Sequence, residues 1–345
     1  MSEILIKEIN EQPHIIQNLV DSEYSEIEKI AAKIKGKFNY AMIAARGTSD
    51  NAARYAQYIL GAFNQIPVAL ATPSLYTVYK KPPKLANALV IGISQSGVSP
   101  DIVAVLEHAK EQGQTTMCIT NEPDSPMGHL ADHVIPLHCG KEQSVAASKT
   151  YSASLTALAM LSVALAGDND RRNELSALPP KLASIIADAN ETNTRTCRYR
   201  YIEHCVVIGR GFNYCTAYEV ALKVKELSRV VTVPYSSADF KHGPIAAVHT
   251  GFPVILVAPY GEMFDQMVEF ADKMHDLGAE LISISNRPEI LKNSNLGFKI
   301  SSDIPEWISP IACALPGQLF ARQLAFEKGL NIDSPVGLSK VTETF

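Results

Sequence analysis

Ile91-Gly92-Ile93-Ser94-Gln95-Ser96-Gly97-Val98-Ser99-Pro100-Asp101 marks a change from one kind of local structure to another. An apolar run, Ala88 to Ile93, enters it, and an amphipathic run beginning near Asp101 leaves it. The pattern predicts strand, tight loop, helix. Ser99 occupies the N-cap position and Pro100 the first helical position, where a missing N–H costs nothing. The loop holds three hydroxyls, a carboxamide and a glycine, and no Lys or Arg. Hydroxyls and free backbone N–H groups at a helix start suit an anion such as a phosphate monoester. A capped turn facing water would need fewer convergent donors.

Outward from this loop the same alternation recurs. Residues 1–38 have Leu5, Ile9, Ile15, Ile16, Leu19, Ile27, Ile30 and Ile34 at helical spacings, with Pro13 expected as a break. Tyr40–Ala45 is a predicted strand running into Arg46-Gly47-Thr48-Ser49 and an Ala/Tyr-rich helix. Further strands are predicted at 67–71, 88–93, 115–120 and 133–137, and a long buried helix from about Ser148 to Ala166. Strands separated by helices point to an α/β fold with a parallel sheet covered on both faces.

The plan then repeats. Cys205–Ile208 runs into Gly209-Arg210-Gly211, Pro253–Val257 into Pro259-Tyr260-Gly261, and Leu281–Ser285 into Asn286-Arg287-Pro288. Gly47 and Gly211 are 164 residues apart, as are Gly97 and Gly261; Asn121 and Asn286 are 165 apart. A near-constant offset implies tandem duplication, with the boundary expected near Gly167-Asp168-Asn169-Asp170. Two such lobes usually build a site at their strand C-termini. The copies differ in chemistry: Ala258-Pro259-Tyr260-Gly261 replaces the Ser-Gln-Ser-Gly loop. The second copy instead carries Glu219, Lys223, Lys225 and Glu226 on one helix, followed by Lys241-His242-Gly243-Pro244. Helical spacing puts Glu219, Lys223 and Glu226 near one face and Lys225 about a quarter-turn away. A solvated i,i+4 ion pair is the expectation for Glu219 and Lys223.

Composition bounds the rest. The 345 residues are 46% hydrophobic and 19% charged, with a net charge of −5. No Lys/Arg run is present, so a nucleic-acid surface is not expected. Six scattered cysteines without a C-x-x-C pair fit a reduced, cytosolic setting. The start lacks the pattern of a signal peptide, and the longest apolar stretch, Ala153 to Ala166, is too short for a membrane span. His133, His138 and Cys139 lack a third ligand at metal-site spacing, so neither metal nor cofactor is expected.

Several of these segments together resemble a known family. Ser94-Gln95-Ser96-Gly97 with Ser99, the run Ala221 to Ser228, Lys241-His242-Gly243-Pro244 and the tail Leu338-Ser339-Lys340-Val341-Thr342 are similar to the sugar isomerase (SIS) double-domain half of the glutamine-fructose-6-phosphate aminotransferases. Glu8-Ile9-Asn10-Glu11-Gln12-Pro13 resembles the segment that opens that half. The resemblance covers nearly the whole chain and implies two tandem flavodoxin-like SIS lobes, 39–167 and 168–330. They would lie between an N-terminal helical segment and a tail, 331–345, carrying Lys340.

The resemblance also implies roles. Thr48, Ser49, Ser94, Gln95, Ser96 and Ser99 would hold the sugar phosphate and neighbouring hydroxyls, with Val145 contacting the sugar through its backbone and Ser339 beside the tail lysine. Glu226 would move a proton between C1 and C2, with Lys223 joining the catalytic set. His242 would assist ring opening from the partner subunit of a homodimer, and Lys340 would reach the carbonyl carbon. A carboxylate can shuttle a proton across an enediol or enolamine, and a lysine amine can form an imine with a ketose. Val98, Ala147 and Ser339 depart from the Glu, Ser and Ala usual in the synthases.

The synthases also have an N-terminal cysteine nucleophile on a glutaminase domain. This chain starts after that point, and its first cysteine, Cys118, falls in a predicted strand, so glutamine-dependent synthesis is not expected. The expected activity is that of an amino-sugar-phosphate isomerase/deaminase acting on glucosamine-6-phosphate. Alternatives are deglycation of a fructosamine-6-phosphate, ammonia-dependent glucosamine-6-phosphate synthesis, and a non-catalytic sugar-phosphate sensor. A sensor has no need for Glu226, His242 and Lys340 together.

Overall fold

The computed structural model describes residues 4–340. Its ten strands form two separate five-stranded parallel sheets. In the first sheet the strands are β1 (Tyr40–Ala44), β2 (Val68–Leu70), β3 (Ala88–Ser94), β4 (Thr115–Thr120) and β5 (His133–Pro136), in the order β2-β1-β3-β4-β5. The second holds β6 (His204–Gly209), β7 (Val231–Ser236), β8 (Pro253–Val257), β9 (Glu280–Ser285) and β10 (Leu296–Lys299). Read from its other edge, its order is β7-β6-β8-β9-β10, the same topology one copy later. β7 and β10 are absent from the sequence expectations and correspond to β2 and β5.

Each sheet is apolar because helices cover it. All seven residues of β3 and all five of β8 are buried. Such strands read as continuous hydrophobic runs because both faces are covered. In the first lobe Met42, Val90, Ile102, Val105, Leu106 and Met127 build one side of the core. Ile208, Val254, Leu256, Phe264, Phe270 and Met274 build the matching cluster in the second.

The chain falls into two compact units that are not contiguous in sequence. Among the described residues, one comprises 14–142, 149–176 and 339–340; the other comprises 4–13, 143–148 and 177–338. Helix Ile4–Ile34 is continuous, and Pro13 lies inside it rather than breaking it. The proline ring deprives the Ile9 carbonyl of its N–H partner, a cost of about 3 kcal/mol. Leu5, Ile9, Ile16, Leu19 and Ile27 are all essentially inaccessible. At about 1.5–3 kcal/mol each, their burial on both sides of the proline outweighs it.

In the second unit, helix Tyr214–Ser228 packs on the almost wholly buried helix Ser309–Glu327. Gly317 permits the approach, since a Cβ there would overlap the Val220 side chain. No helix among the described residues is long and apolar enough to cross a membrane.

Candidate functional site

In the first lobe, β1 and β3 are neighbours in parallel register, Ala44 opposite Gly92, so the loops leaving them lie side by side. β1 leads through Arg46 into helix Gly47–Asn64, whose first turn carries Thr48 and Ser49. β3 leads through 95–99 into helix Pro100–Glu111, with Ser99 at the N-cap in extended conformation and Pro100 at its first position. The Ser99 hydroxyl does not cap its own helix; it lies 3.4 Å from Ser94 Oγ. Ser94 Oγ also accepts the Gly97 N–H at 3.2 Å, and Ser96 is half-buried beside it.

Gly97 is the conformational key to this loop. Its φ of +63° is left-handed, and a Cβ would overlap Ser125 Oγ and lie 2.6 Å from Ser125 Cβ. The loop is pinned behind by Met127 N–H to Gly97 O at 3.1 Å and Asn121 N–H to Gln95 O at 3.2 Å. A cation unforeseen in the sequence stands next to it. Arg46 Nε donates to Asp101 Oδ2 at 2.7 Å, and the other oxygen of buried Asp101 has no hydrogen-bond partner among the described residues.

The tail lysine is seated in this same unit. Lys340 Nζ is 2.8 Å from Glu142 Oε2, and the wholly buried Glu142 side chain also accepts from Thr150 N–H at 3.2 Å and Thr150 Oγ1 at 2.9 Å. Ser339 is exposed. The tail beyond Lys340 lies outside the described residues.

The second unit holds the other candidates. Lys223 Nζ lies 2.5 Å from Glu226 Oε2 and 3.6 Å from Glu219 Oε1. The Glu219 and Lys223 side chains are 0% and 2% exposed, so the pair is buried, not the solvated surface pair expected from spacing. The reason is the face of helix Tyr214–Ser228 they occupy, in an element packed against a buried helix. Glu226 keeps 22% exposure and Lys225 points to solvent. One carboxylate is thus presented outward, held by a buried ammonium.

Val145 is half-buried in 143–148, a segment held by side chains distant in sequence. Glu8 Oε1 accepts from Gln143 N–H at 2.5 Å and Glu8 Oε2 from Ser144 N–H at 3.3 Å. Gln318 donates to Ser148 O at 3.3 Å and accepts from Gln12 Nε2 at 2.7 Å. His242 is exposed at the end of helix Ser237–Lys241. Its ring makes no hydrogen bond among the described residues.

Cysteine nucleophiles are disfavoured where the thiols are buried: burial pushes Cys118 up to about 12 and Cys205 up to about 11, the Thr232 hydroxyl opposing in the latter.

The SIS domain model matches residues 39–164 and again 200–328. The chain belongs to the SIS domain family. Both SIS matches contain a complete five-stranded sheet, as the duplication requires. The glutamine–fructose-6-phosphate aminotransferase of Pyrococcus horikoshii is 32% identical over 342 residues, 97% of this chain and 57% of that protein. This SIS chain therefore spans little more than half the length of the curated relatives it matches, and is homologous to their isomerase half.

The C-terminal domain of the Francisella tularensis glucosamine-fructose-6-phosphate aminotransferase superposes with a TM-score of 0.90 at 27% identity, covering 97% of this chain and 99% of that one. A glucosamine-6-phosphate deaminase of Thermotoga maritima gives 0.84 at 21% identity, covering 99% of this chain and 100% of that one, a likeness of fold.

Proposed function

We propose that this SIS protein is an amino-sugar-phosphate isomerase/deaminase, converting glucosamine-6-phosphate and water to fructose-6-phosphate and ammonia. The observation that carries the reading is the ion pair of Lys340 with Glu142. The lysine Nζ sits 2.8 Å from the buried Glu142 carboxylate, an ion pair that engages the same nitrogen a substrate imine would need. A lysine so held suits a substrate whose nitrogen is already on C2, where it supplies charge.

In this reading Thr48, Ser49, Ser94, Gln95, Ser96 and Ser99 take the phosphate through neutral donors and two helix starts. His242 serves ring opening, contributed to a second copy of the chain. Glu226 removes the C2 proton of the open-chain amino aldose, giving an enolamine, and returns it at C1. Lys223 holds the Glu226 carboxylate in one geometry between the two transfers. The product is the C2 imine; water adds at C2, the C–N bond breaks, and ammonia leaves. Val145 contributes a backbone contact and Ser339 a hydroxyl beside Lys340.

The test is ammonia release from a panel of glucosamine-6-phosphate, galactosamine-6-phosphate, free glucosamine and fructosamine-6-phosphates, with glutamine as control. Release from glucosamine-6-phosphate with stoichiometric fructose-6-phosphate is expected. Turnover confined to a fructosamine-6-phosphate, or to the forward synthesis, would replace this reaction. No turnover of any of them would move the chain to a sensor.

A further inference from the structure

Duplication gives the Ser-Gln-Ser-Gly loop a counterpart, and there the anion position is already filled. β3, residues 95–99 and the helix start at Pro100 correspond to β8, residues 258–263 and the helix start at Phe264. The supporting hydrogen bonds are duplicated too. Thr120 Oγ1 donates to Gln95 O at 3.4 Å in one lobe, and Ser285 Oγ to Ala258 O at 2.6 Å in the other. Glu122 N–H to Thr120 Oγ1 and Arg287 N–H to Ser285 Oγ are both 3.2 Å. The two frames match; their contents differ.

In the second lobe the serines are gone and a carboxylate stands at the loop. Glu306 Oε2 accepts the Glu262 N–H at 2.8 Å, and the Met263 N–H is a second backbone donor to the same carboxylate. These amides precede Phe264, the first residue of a 13-residue helix. Gly261 leaves the space: a Cβ there would sit 2.5 Å from Glu306 Cγ. Gly211, the counterpart of Gly47 in the neighbouring loop, would place a Cβ 3.6 Å from Glu306 Oε1. The side chain therefore reaches both loops that correspond to the two hydroxyl-bearing loops of the first lobe.

We propose that Glu306 is the built-in occupant of a second anion site, and that removing its side chain converts this site into one for inorganic phosphate or a phosphate monoester. Carboxylate and phosphate oxygens make the same charge-assisted bonds to amide N–H groups at a helix start. Glutamine could keep an acceptor here without a charge. Burial above all, with the Glu262 carboxylate beside it, holds the Glu306 carboxyl above its ordinary value, and the two amide hydrogen bonds oppose that rise. The internal carboxylate leaves the first-lobe loop as the place for the sugar phosphate.

The experiment counts inorganic phosphate bound per chain by calorimetry in the unmodified protein, Glu306→Ala and Glu306→Gln, each also melted with and without phosphate. Glu306→Ala should bind one more phosphate than the unmodified chain and recover in phosphate the melting temperature it loses without it. Glu306→Gln, whose amide still fills the space, should bind no more than the unmodified chain. An unchanged count in Glu306→Ala, a chain unfolded in both buffers, or an extra phosphate in both variants overturns the proposal. The increment tests Glu306, whereas the count in the unmodified chain tests the first-lobe loop, so the two readings fail separately.

Discussion

Gly97→Ala is the perturbation that best separates the shape of the Ser-Gln-Ser-Gly loop from its chemistry. Two costs follow from the structure. A left-handed φ of +63° at a residue with a Cβ costs about 1–2 kcal/mol. The new methyl also overlaps Ser125, whose Oγ caps helix Pro126–Leu130 by accepting the Gly128 N–H at 3.3 Å. Displacing that cap and overpacking the site adds about 2–3 kcal/mol.

The total is about 3–5 kcal/mol, which lowers the urea midpoint of the first lobe by about 1–2.5 M for a slope of roughly 2–3 kcal/mol per molar. Gly113→Ala is the matched control: its φ is +70° but nothing lies within 4 Å of a Cβ. It should show the strain of about 1–2 kcal/mol alone. Urea unfolding followed by circular dichroism reads both, and KM for the sugar phosphate should rise only in Gly97→Ala. Equal midpoints for the two variants, with KM unchanged, would refute the packing argument and the loop's place in binding.

Ser96→Ala should raise KM by the equivalent of about 1–2 kcal/mol, one hydrogen bond to a charged group, while free glucosamine stays a very poor substrate; equal turnover of free and phosphorylated sugar would count against the loop. Glu226→Gln should lose roughly 10²–10⁴-fold in kcat with substrate binding retained, the span of a general base, and near-normal turnover would remove the shuttle. Lys340→Ala should lose activity, yet borohydride should trap no lysine adduct with glucosamine-6-phosphate; a mass-spectrometric adduct at Lys340 would show an imine.

Burial raises the Asp132 carboxyl, but the Thr116 N–H and hydroxyl, both at 2.9 Å, with Lys110 and His133, bring it below its ordinary value. A lowered folded value means the unfolded chain binds more protons below about pH 4, so this contribution is present at higher pH and is lost as pH falls through the folded value. Asp132→Asn should flatten the acid limb of stability; an unchanged slope between about pH 5 and pH 2.5 would exclude the contribution.

Strand-loop-helix at 88–111 was legible because continuous apolar residues, an N-cap serine and a first-turn proline all point one way. Val231–Ser236 was not, because it is an edge strand with Val231 and Val233 exposed and Pro234 inside it. Leu296–Lys299 is only four residues and contains a glycine. The 164-residue offset contains both: it carries Val68 to Thr232, and His133 to within one residue of Leu296. At the site, Ser99 and Pro100 lie where spacing put them. Burial of Glu219 and Lys223 did not follow from spacing, since an i,i+4 pair looks the same on a wet or a dry face. The information resides in Gly317 and Val220, nearly a hundred residues apart. Glu142, Glu8 and Glu306 were similarly silent, because each acts on backbone amides or a lysine that only the fold brings near.

The interleaving of the two units bears on how the chain can be made and cut. Residues 143–148 belong with 177–338, and Ser339 and Lys340 belong with the unit that ends its main run at 176. On a ribosome, one unit lacks parts until residue 338 has emerged, and the other until Ser339 and Lys340 have. The first sheet can pair early, but Glu142 waits for Lys340, and Glu8 must keep its carboxylate available for amides more than 130 residues downstream. A cut at the apparent repeat boundary would yield two fragments that each hold pieces of the other. Circular permutation at an exposed loop would preserve every segment, whereas bisection would not.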